Sequence, residues 1–495
     1  MYFCKMKKSL KNLLNQLKLI ENDAVFFRNK DDGKTFSSFS SDINKKLEFI
    51  NPDAFYVFNN QPFILFFDLT ALKDKDKENE IHKQVWSFDN SPIAFVIKDD
   101  EIKVYNALNY SKKENSLEEI KLSQDEIKDK FSFWNLQSGI TWKWLQDDYY
   151  ENNKKKESRK RVNEKLFENI KDVRERLVDI TKDGSLTENE ANSLILRLIF
   201  IRYLIDRDIK IDVDFISGNT TIEKKISFSK LIENPQKLNQ LFFKLNTNFN
   251  GALFKELDIQ ISGEQSTFLA NVFKGEIEEI GSLFYGFYFE IFDFSIIPVE
   301  VISCIYESLI DPETAKLDSA VYTPSFLVDY ILKDTVDKYL EDNNTSECKI
   351  FEVAVGSGIF LVQSLRKMIE KEIELNGKSN KKIFSEKIRA IAKDNLFGID
   401  INREALKVTC FSIYIALLDY QDPKDIEKYP FPNLINENLF EANFFNVNHD
   451  FNEIIKSKKT QFILGNPPWK SKKSDNFHTT WLKENNKTVG NYEIA

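Results

Sequence analysis

From residue 349 onward, short apolar runs alternate with helical stretches, and this alternation restricts the fold more than any other property of the chain. Lys349 to Val355, Leu396 to Ile401 and Phe462 to Gly465 read as strands, with helical runs at Ile359 to Ile369 and Ile383 to Lys393 between them. Strands separated by a helix cannot pair as hairpins. The crossover brings each new strand back parallel to the last, so the expected architecture is α/β, a doubly wound and mostly parallel sheet.

The remainder of the chain is of two further kinds. Its 495 residues suffice for roughly three domains, and 42% hydrophobic with 13% aromatic residues can bury real cores. Residues 1–145 contain Ala54 to Phe58, Phe63 to Phe67, Ile93 to Ile97 and Ile102 to Tyr105, β-rich runs separated by Asn and Asp turns. They predict a small α+β domain. Residues 146–310 are helical in pattern and make a connector region. There Phe167, Ile170, Val173, Leu177 and Ile180 fall on one face. Thr187 with Glu190 forms a capping box ahead of the nearly all-apolar run Leu194 to Phe200, which predicts a buried helix. Phe249 to Phe254 reads as a turn, and Pro298 suits a first helical turn. Residues 311–495 form the third region.

Several function classes drop out. The four cysteines (Cys4, Cys304, Cys348, Cys410) and three histidines (His82, His449, His478) are scattered without paired spacing, which argues against a disulfide framework or a zinc site and for a reducing, cytoplasmic setting. No segment reaches about 18 uninterrupted apolar residues, so no membrane span is expected. The net charge of −9 does not mark a nucleic-acid binder; contact with DNA would come from local basic patches. The basic run Lys154 to Arg161 reads first as a solvated helix face.

Chemistry concentrates in the last region. The first strand runs into Gly356-Ser357-Gly358 and then a helix, a turn in which backbone approaches a ligand closely and the helix start offers free N–H groups. The third glycine of a dinucleotide fingerprint is absent, which argues against NAD. Asp400 closes the second strand, where a carboxylate accepts ribose hydroxyls. The interval from Gly358 to Asp400 is about twice the usual ~20 residues, and the extra helix Ile383 to Lys393 accounts for it. Asn443 follows the third strand's segment, Asn438 to Phe445. Asn466-Pro467-Pro468-Trp469 then follows the strand Phe462 to Gly465. It sets an amide and a proline carbonyl beside an aromatic face, a combination able to hold a planar amino group.

In order, Tyr322-Thr323-Pro324, Gly356-Ser357-Gly358, Asp400, Asn443 and Asn466-Pro467-Pro468-Trp469 resemble the motifs of DNA adenine-N6 methyltransferases, closest to the single-chain type IIG restriction–modification and phage-defence enzymes. The resemblance covers residues 160–495. It implies a Rossmann-like sheet that binds S-adenosyl-L-methionine, with double-stranded DNA as partner. By the same resemblance, Tyr322, Thr323 and Pro324 lie near the methionine end of the cofactor, with Glu352, Gly356, Ser357 and Gly358 beneath it. Asp400 holds the ribose and Asn443 lies near the adenine. Asn466 and the Pro467 carbonyl accept the target amino hydrogens, Pro468 shapes the turn, and Trp469 stacks on a flipped base. Glu352 and Asn443 stand where the family usually has aspartate, and Val353 and Val355 replace its usual Pro and Cys. The sheet of this family continues well beyond its Asn-Pro-Pro-aromatic motif, whereas the sequence stops at Ala495. The resemblance therefore implies an incomplete sheet, in a truncated chain or one half of a split enzyme whose activity depends on a second polypeptide.

Members of the restriction type carry an N-terminal nuclease. Pro52-Asp53 with Asp68-Leu69-Thr70 resembles its metal-binding arrangement, in which Asp53 and Asp68 would hold Mg²⁺, but Thr70 stands in place of the lysine and Lys73 is the nearest substitute. A degenerate, non-cutting domain is the preferred expectation. Two competing functions are a protein-glutamine or RNA methyltransferase, disfavoured by the long helical region, and an inactive fragment serving as a binding or assembly subunit.

Overall fold

The computed structural model describes residues 7–28, 33–150, 161–179, 184–249, 261–274, 289–297, 325–421 and 431–466, apart from a few short breaks, together with Thr323. By compactness the chain divides into two units, Met1–Asn169 with Gly275–Pro298, and Ile170–Lys274 with Val299–Ala495. The helical region from Ile170 therefore groups with the C-terminal sheet region.

The first unit is built on a six-stranded sheet in sequence order, β1 (Val25–Phe26), β2 (Ala54–Phe58), β3 (Gln61–Asp68), β4 (Ile93–Lys98), β5 (Glu101–Ser111) and β6 (Ser116–Ile120). All four runs expected as strands are strands. Pairing is antiparallel except between β3 and β4, which are parallel because the helix α1 (Lys75–Phe88) carries the crossover. Asp74 caps α1, accepting from the N–H groups of Asp76 and Lys77. One face of the sheet buries Ile64, Phe66, Ile93 and Phe95 with the leucines of the helix Lys8–Gln16. Each such side chain contributes about 1.5–3 kcal/mol when fully removed from water. On α1, Trp86 stacks between Tyr110 and Phe292, at centroid distances of 5.3 and 5.5 Å, which ties residues 289–297 into this unit.

In the second unit, α2 (Glu188–Asp206) begins at the expected capping box, with Thr187 accepting from the Glu190 N–H and Glu190 reaching back to the cap. It is buried from Ala191 through Asp206. Burial all round requires its charges to be paired. Arg202 Nε donates to Asp206 at 2.9 Å, and Lys225 Nζ lies 2.9 Å from the same carboxylate. Burial raises the Asp206 pKa, but the Arg202 and Lys225 charges outweigh it, and the group is held below its ordinary range. The helix Val162–Leu177 buries Val162, Leu166, Ile170, Val173 and Leu177; Phe167 is half-buried beside Leu166, and Ile180 lies outside the described residues. Most of the Phe249–Phe254 turn and Pro298 likewise lie outside them.

The C-terminal sheet is parallel throughout, in the order β10-β7-β8-β9, with β7 (Ile350–Val353), β8 (Leu396–Asp400), β9 (Leu439–Glu441) and β10 (Phe462–Leu464). The crossovers use α3 (Ile359–Asn376), α4 (Lys381–Asn395) and α5 (Arg403–Tyr420). From β7 the chain steps outward to β8 and β9, then returns across to place β10 on the other side of β7. The order reverses at β7/β10, and a crevice opens outside the strand ends at such a switch point.

Candidate active site

Because the four strands are parallel, their C-terminal ends fall on one edge, and each expected motif of residues 350–466 follows one of those ends. The loop after β7 is held by its own backbone. Gly356 has φ +53° and Gly358 has φ +75°, a region that costs a side-chain-bearing residue about 1–3 kcal/mol. Ala354, at φ +56°, bears that strain directly. At Gly358 a Cβ would stand 2.5 Å from Thr409 Cγ2, so α5 packs against the turn too closely for any other residue. The Thr409 hydroxyl donates to the Gly356 carbonyl at 2.9 Å and fastens the loop from above. At Gly398 on β8, a Cβ would meet Val355 Cγ2 at 2.5 Å.

Asp400 links the loops. Its carboxylate accepts the Gly356 N–H at 2.9 Å and the Asn402 N–H at 2.8 Å, one on each oxygen. A carboxylate has acceptor sites for about four donors, so these backbone bonds leave part of its acceptor capacity open. Burial pushes the Asp400 pKa up, and the backbone bonds from Gly356, Asn402 and Ile401 offset that only in part. This residue set fits a ribosyl ligand: a half-buried carboxylate with acceptor capacity left, beside a glycine turn at a helix start.

Asn443 follows β9, whose next residue, Ala442, donates its N–H to the Asp400 carbonyl at 2.9 Å. The Asn443 Oδ1 accepts the Phe445 N–H at 2.9 Å, leaving the carboxamide NH₂ as the group it can offer. Asn466 lies just past β10 and is exposed; its Nδ2 donates to Thr323 Oγ1 at 3.2 Å, with Thr323 itself buried. Gly465 has φ +152°, and a Cβ there would stand 2.5 Å from the Val353 carbonyl, so the backbone before Asn466 lies against β7. Tyr322, Pro324, Pro467, Pro468 and Trp469 lie outside the described residues.

One expected cofactor contact takes a different form. Glu352 is 2% exposed, and its carboxylate accepts the Leu361 N–H at 3.2 Å, in the first turn of α3. It satisfies one of the helix-start donors of α3. Ser357 is buried as well. Sequence reading missed Thr409 and Asn402. Asn402, two residues past a strand-end Asp, is a recognisable Asx-turn position, whereas nothing local distinguishes Thr409 within an apolar helix.

The N-terminal pair is also assembled, but differently from a metal site. The Asp68 N–H donates to Asp53 Oδ2 at 2.7 Å, and the Asp68 side chain is fully buried. The hydroxyl of Ser9 donates to Asp68, as does that of Thr70 at 2.5 Å. Lys7 Nζ stands 3.7 Å from Asp53 and 3.9 Å from Asp68, in the place a divalent cation would take, and it also bonds the Asp68 carbonyl. Both oxygens of Asp68 thus already have hydroxyl donors and a cation sits beside them, so these residues do not fit Mg²⁺. Among the described residues no group of three or more His, Cys, Asp or Glu is placed to hold a metal, and no helix is long and apolar enough to cross a membrane. Of the basic run, Arg161 is described, and its guanidinium is paired with Asp89 at 3.1 Å.

A parallel sheet that reverses order at β7/β10, with a glycine turn, a strand-end carboxylate and a carboxamide around the crevice, defines an α/β protein with a Rossmann-like sheet. More narrowly, the C-terminal region is a DNA-methyltransferase domain of the restriction–modification kind, because residues 335–491 match the family model for the DNA-methyltransferase domain of MmeI. The type II methyltransferase M.BstVI of Geobacillus stearothermophilus is 26% identical over 163 residues, covering 32% of this chain and 26% of that protein. The adenine-specific methyltransferase PglX of Streptomyces coelicolor is 21% identical over 209 residues, covering 36% of this chain and 17% of that protein. The solved structure of the type IIL restriction–modification enzyme MmeI in complex with DNA aligns with a TM-score of 0.39 at 19% identity, over 65% of this chain and 45% of that one. The chain spans between 15% and 26% of the length of the curated relatives it matches.

Proposed function

We propose that this chain transfers a methyl group from S-adenosyl-L-methionine to N6 of an adenine flipped out of double-stranded DNA, within a restriction–modification or phage-defence system. The observation that carries the reading is Asn466 at the end of β10, one strand from the Gly356–Gly358 turn, inside a region that matches a DNA-methyltransferase domain. When bound, S-adenosyl-L-methionine supplies an electrophilic methyl carbon whose leaving group is a neutral sulfide.

The protein's part is to hold, orient and exclude. Asp400 accepts the ribose hydroxyls, the Asn443 carboxamide lies against the adenine, and the Gly356–Gly358 backbone lies beneath, with Tyr322, Thr323 and Pro324 towards the methionine end. Asn466 Oδ1 and the Pro467 carbonyl accept the two hydrogens of the target amino group. They orient its lone pair along the line of attack, and the proton that the nitrogen sheds once the methyl group has moved passes to solvent. Trp469 stacks on the extruded base, worth about 1–3 kcal/mol, comparable to the few kcal/mol needed to unstack it.

The test offers double-stranded DNA, RNA and protein acceptors, with tritiated-methyl S-adenosyl-L-methionine, to the chain co-expressed with its genomic neighbours, so that any second polypeptide it depends on is present, followed by separation of the labelled products. Label recovered as N6-methyladenine in DNA is the expected result. Label confined to RNA or to glutamine side chains would overturn the proposal.

A further inference from the structure

The carboxamide of Asn466 can face its surroundings in two ways, as an oxygen acceptor or as an NH₂ donor, and a target amino group needs the acceptor. Asn466 is exposed. Among the described residues its carboxamide is held by a hydrogen bond that reaches 143 residues back along the chain, to the hydroxyl of Thr323. Thr323 is 7% exposed and precedes the helix Ser325–Leu332, whose Val328 and Leu332 are buried where it packs on α3. The anchor is thus set in the core while the amide it restrains lies at the surface. The backbone on the other side is fixed too, because Gly465 is pressed against the Val353 carbonyl.

Resting on the methyl-transfer reading, we infer that Thr323 is a positioning residue: its hydroxyl accepts from Asn466 Nδ2 and so leaves Oδ1 turned outward as the acceptor for the target amino group. One hydrogen of the NH₂ is then committed to Thr323, and the carbonyl oxygen is on the opposite branch of the amide. With the hydroxyl gone, the amide samples both orientations, and half of them place a donor against a donor.

Thr323→Val keeps the shape and removes the acceptor; Thr323→Ser keeps the hydroxyl. The expected result is a kcat about tenfold lower in Thr323→Val, the size of one net hydrogen bond. KM for DNA stays near wild type, and Thr323→Ser recovers the rate. A Thr323→Val enzyme with wild-type kcat, or a loss that appears equally in Thr323→Ser, overturns the inference. A second reading is independent of catalysis. The side-chain amide signal of Asn466 in protein labelled with ¹⁵N-asparagine, assigned by its loss in Asn466→Asp, exchanges slowly with solvent in the wild type and Thr323→Ser. Exchange in the wild type at the rate of a free exposed carboxamide overturns the inference even if Thr323→Val does not fold. A wild type that methylates no DNA at all counts against the function, while this exchange measurement still decides the positioning.

Discussion

At Gly358 two independent constraints meet, a left-handed backbone at φ +75° and a Thr409 methyl 2.5 Å from where a Cβ would stand. Gly358→Ala should therefore cost about 2–4 kcal/mol, backbone strain plus overpacking, measured by chemical denaturation. A loss under about 0.5 kcal/mol, the range of an ordinary surface change, would show that α5 does not clamp the turn. Asp400 makes the opposite trade. Its pKa is raised in the fold, so it contributes stability below the unfolded value that is lost as pH rises through the folded one. At neutral pH its ionised form is thus a cost to folding, accepted for the acceptor sites it offers. Asp400→Asn, whose NH₂ would face one of the two backbone N–H groups that the carboxylate accepts, should lower the melting temperature and weaken S-adenosyl-L-methionine binding roughly 10- to 100-fold by calorimetry. Binding that survives the substitution intact would remove Asp400 from the ribose site.

At the scale of elements, the second unit depends on charges buried between helices. Asp419 on α5 accepts from Arg366 on α3 at 2.9 Å, from Tyr203 on α2 at 3.4 Å, and from Arg207 just past α2. Asp419→Ala leaves these partners buried without their carboxylate and should destabilise the unit by about 3–5 kcal/mol. Asp206 supplies a pH dependence of definite sign. Its pKa is lowered, so its contribution is present above the unfolded carboxylate value and disappears as pH falls through the folded one. Acid denaturation followed by circular dichroism should begin at lower pH in the wild type than in Lys225→Met, which removes one of the charges holding that pKa down.

The same elements show how far sequence reading reaches. The four β runs of the first unit, the Thr187 capping box and the strands β7, β8 and β10 were legible because periodicity, caps and turn residues are local signals. The placement of β10 beside β7 was not, since strand order in a parallel sheet is decided by packing of the crossover helices. Nor were the pairings of Lys7 with Asp68 or Thr323 with Asn466, which join residues far apart in the chain. Sequence suggested Lys73 as the substitute for the missing lysine; the cation that stands there comes from the start of the chain. The bond from the start of α3 to the Glu352 carboxylate was not legible either, because it depends on how β7 and α3 pack.

For the molecule as a whole, the two units carry different chemistry. In the first, Lys7 neutralises the Asp53 and Asp68 carboxylates, and Mn²⁺ or Mg²⁺ should leave its melting transition unmoved. In the second, the ends of four parallel strands bring Asp400, Asn443 and Asn466 around one glycine turn, and the matched methyltransferase region spans all of them. Adenine methylation is tested most directly by nucleoside mass spectrometry of DNA from cells lacking their own adenine methylases and expressing, together with its genomic neighbours, either the chain or its Asn466→Ala variant. N6-methyladenine is expected with the wild type, and its loss, by at least about a hundredfold, with the variant. No N6-methyladenine from the wild type, or equal amounts from both, would contradict it.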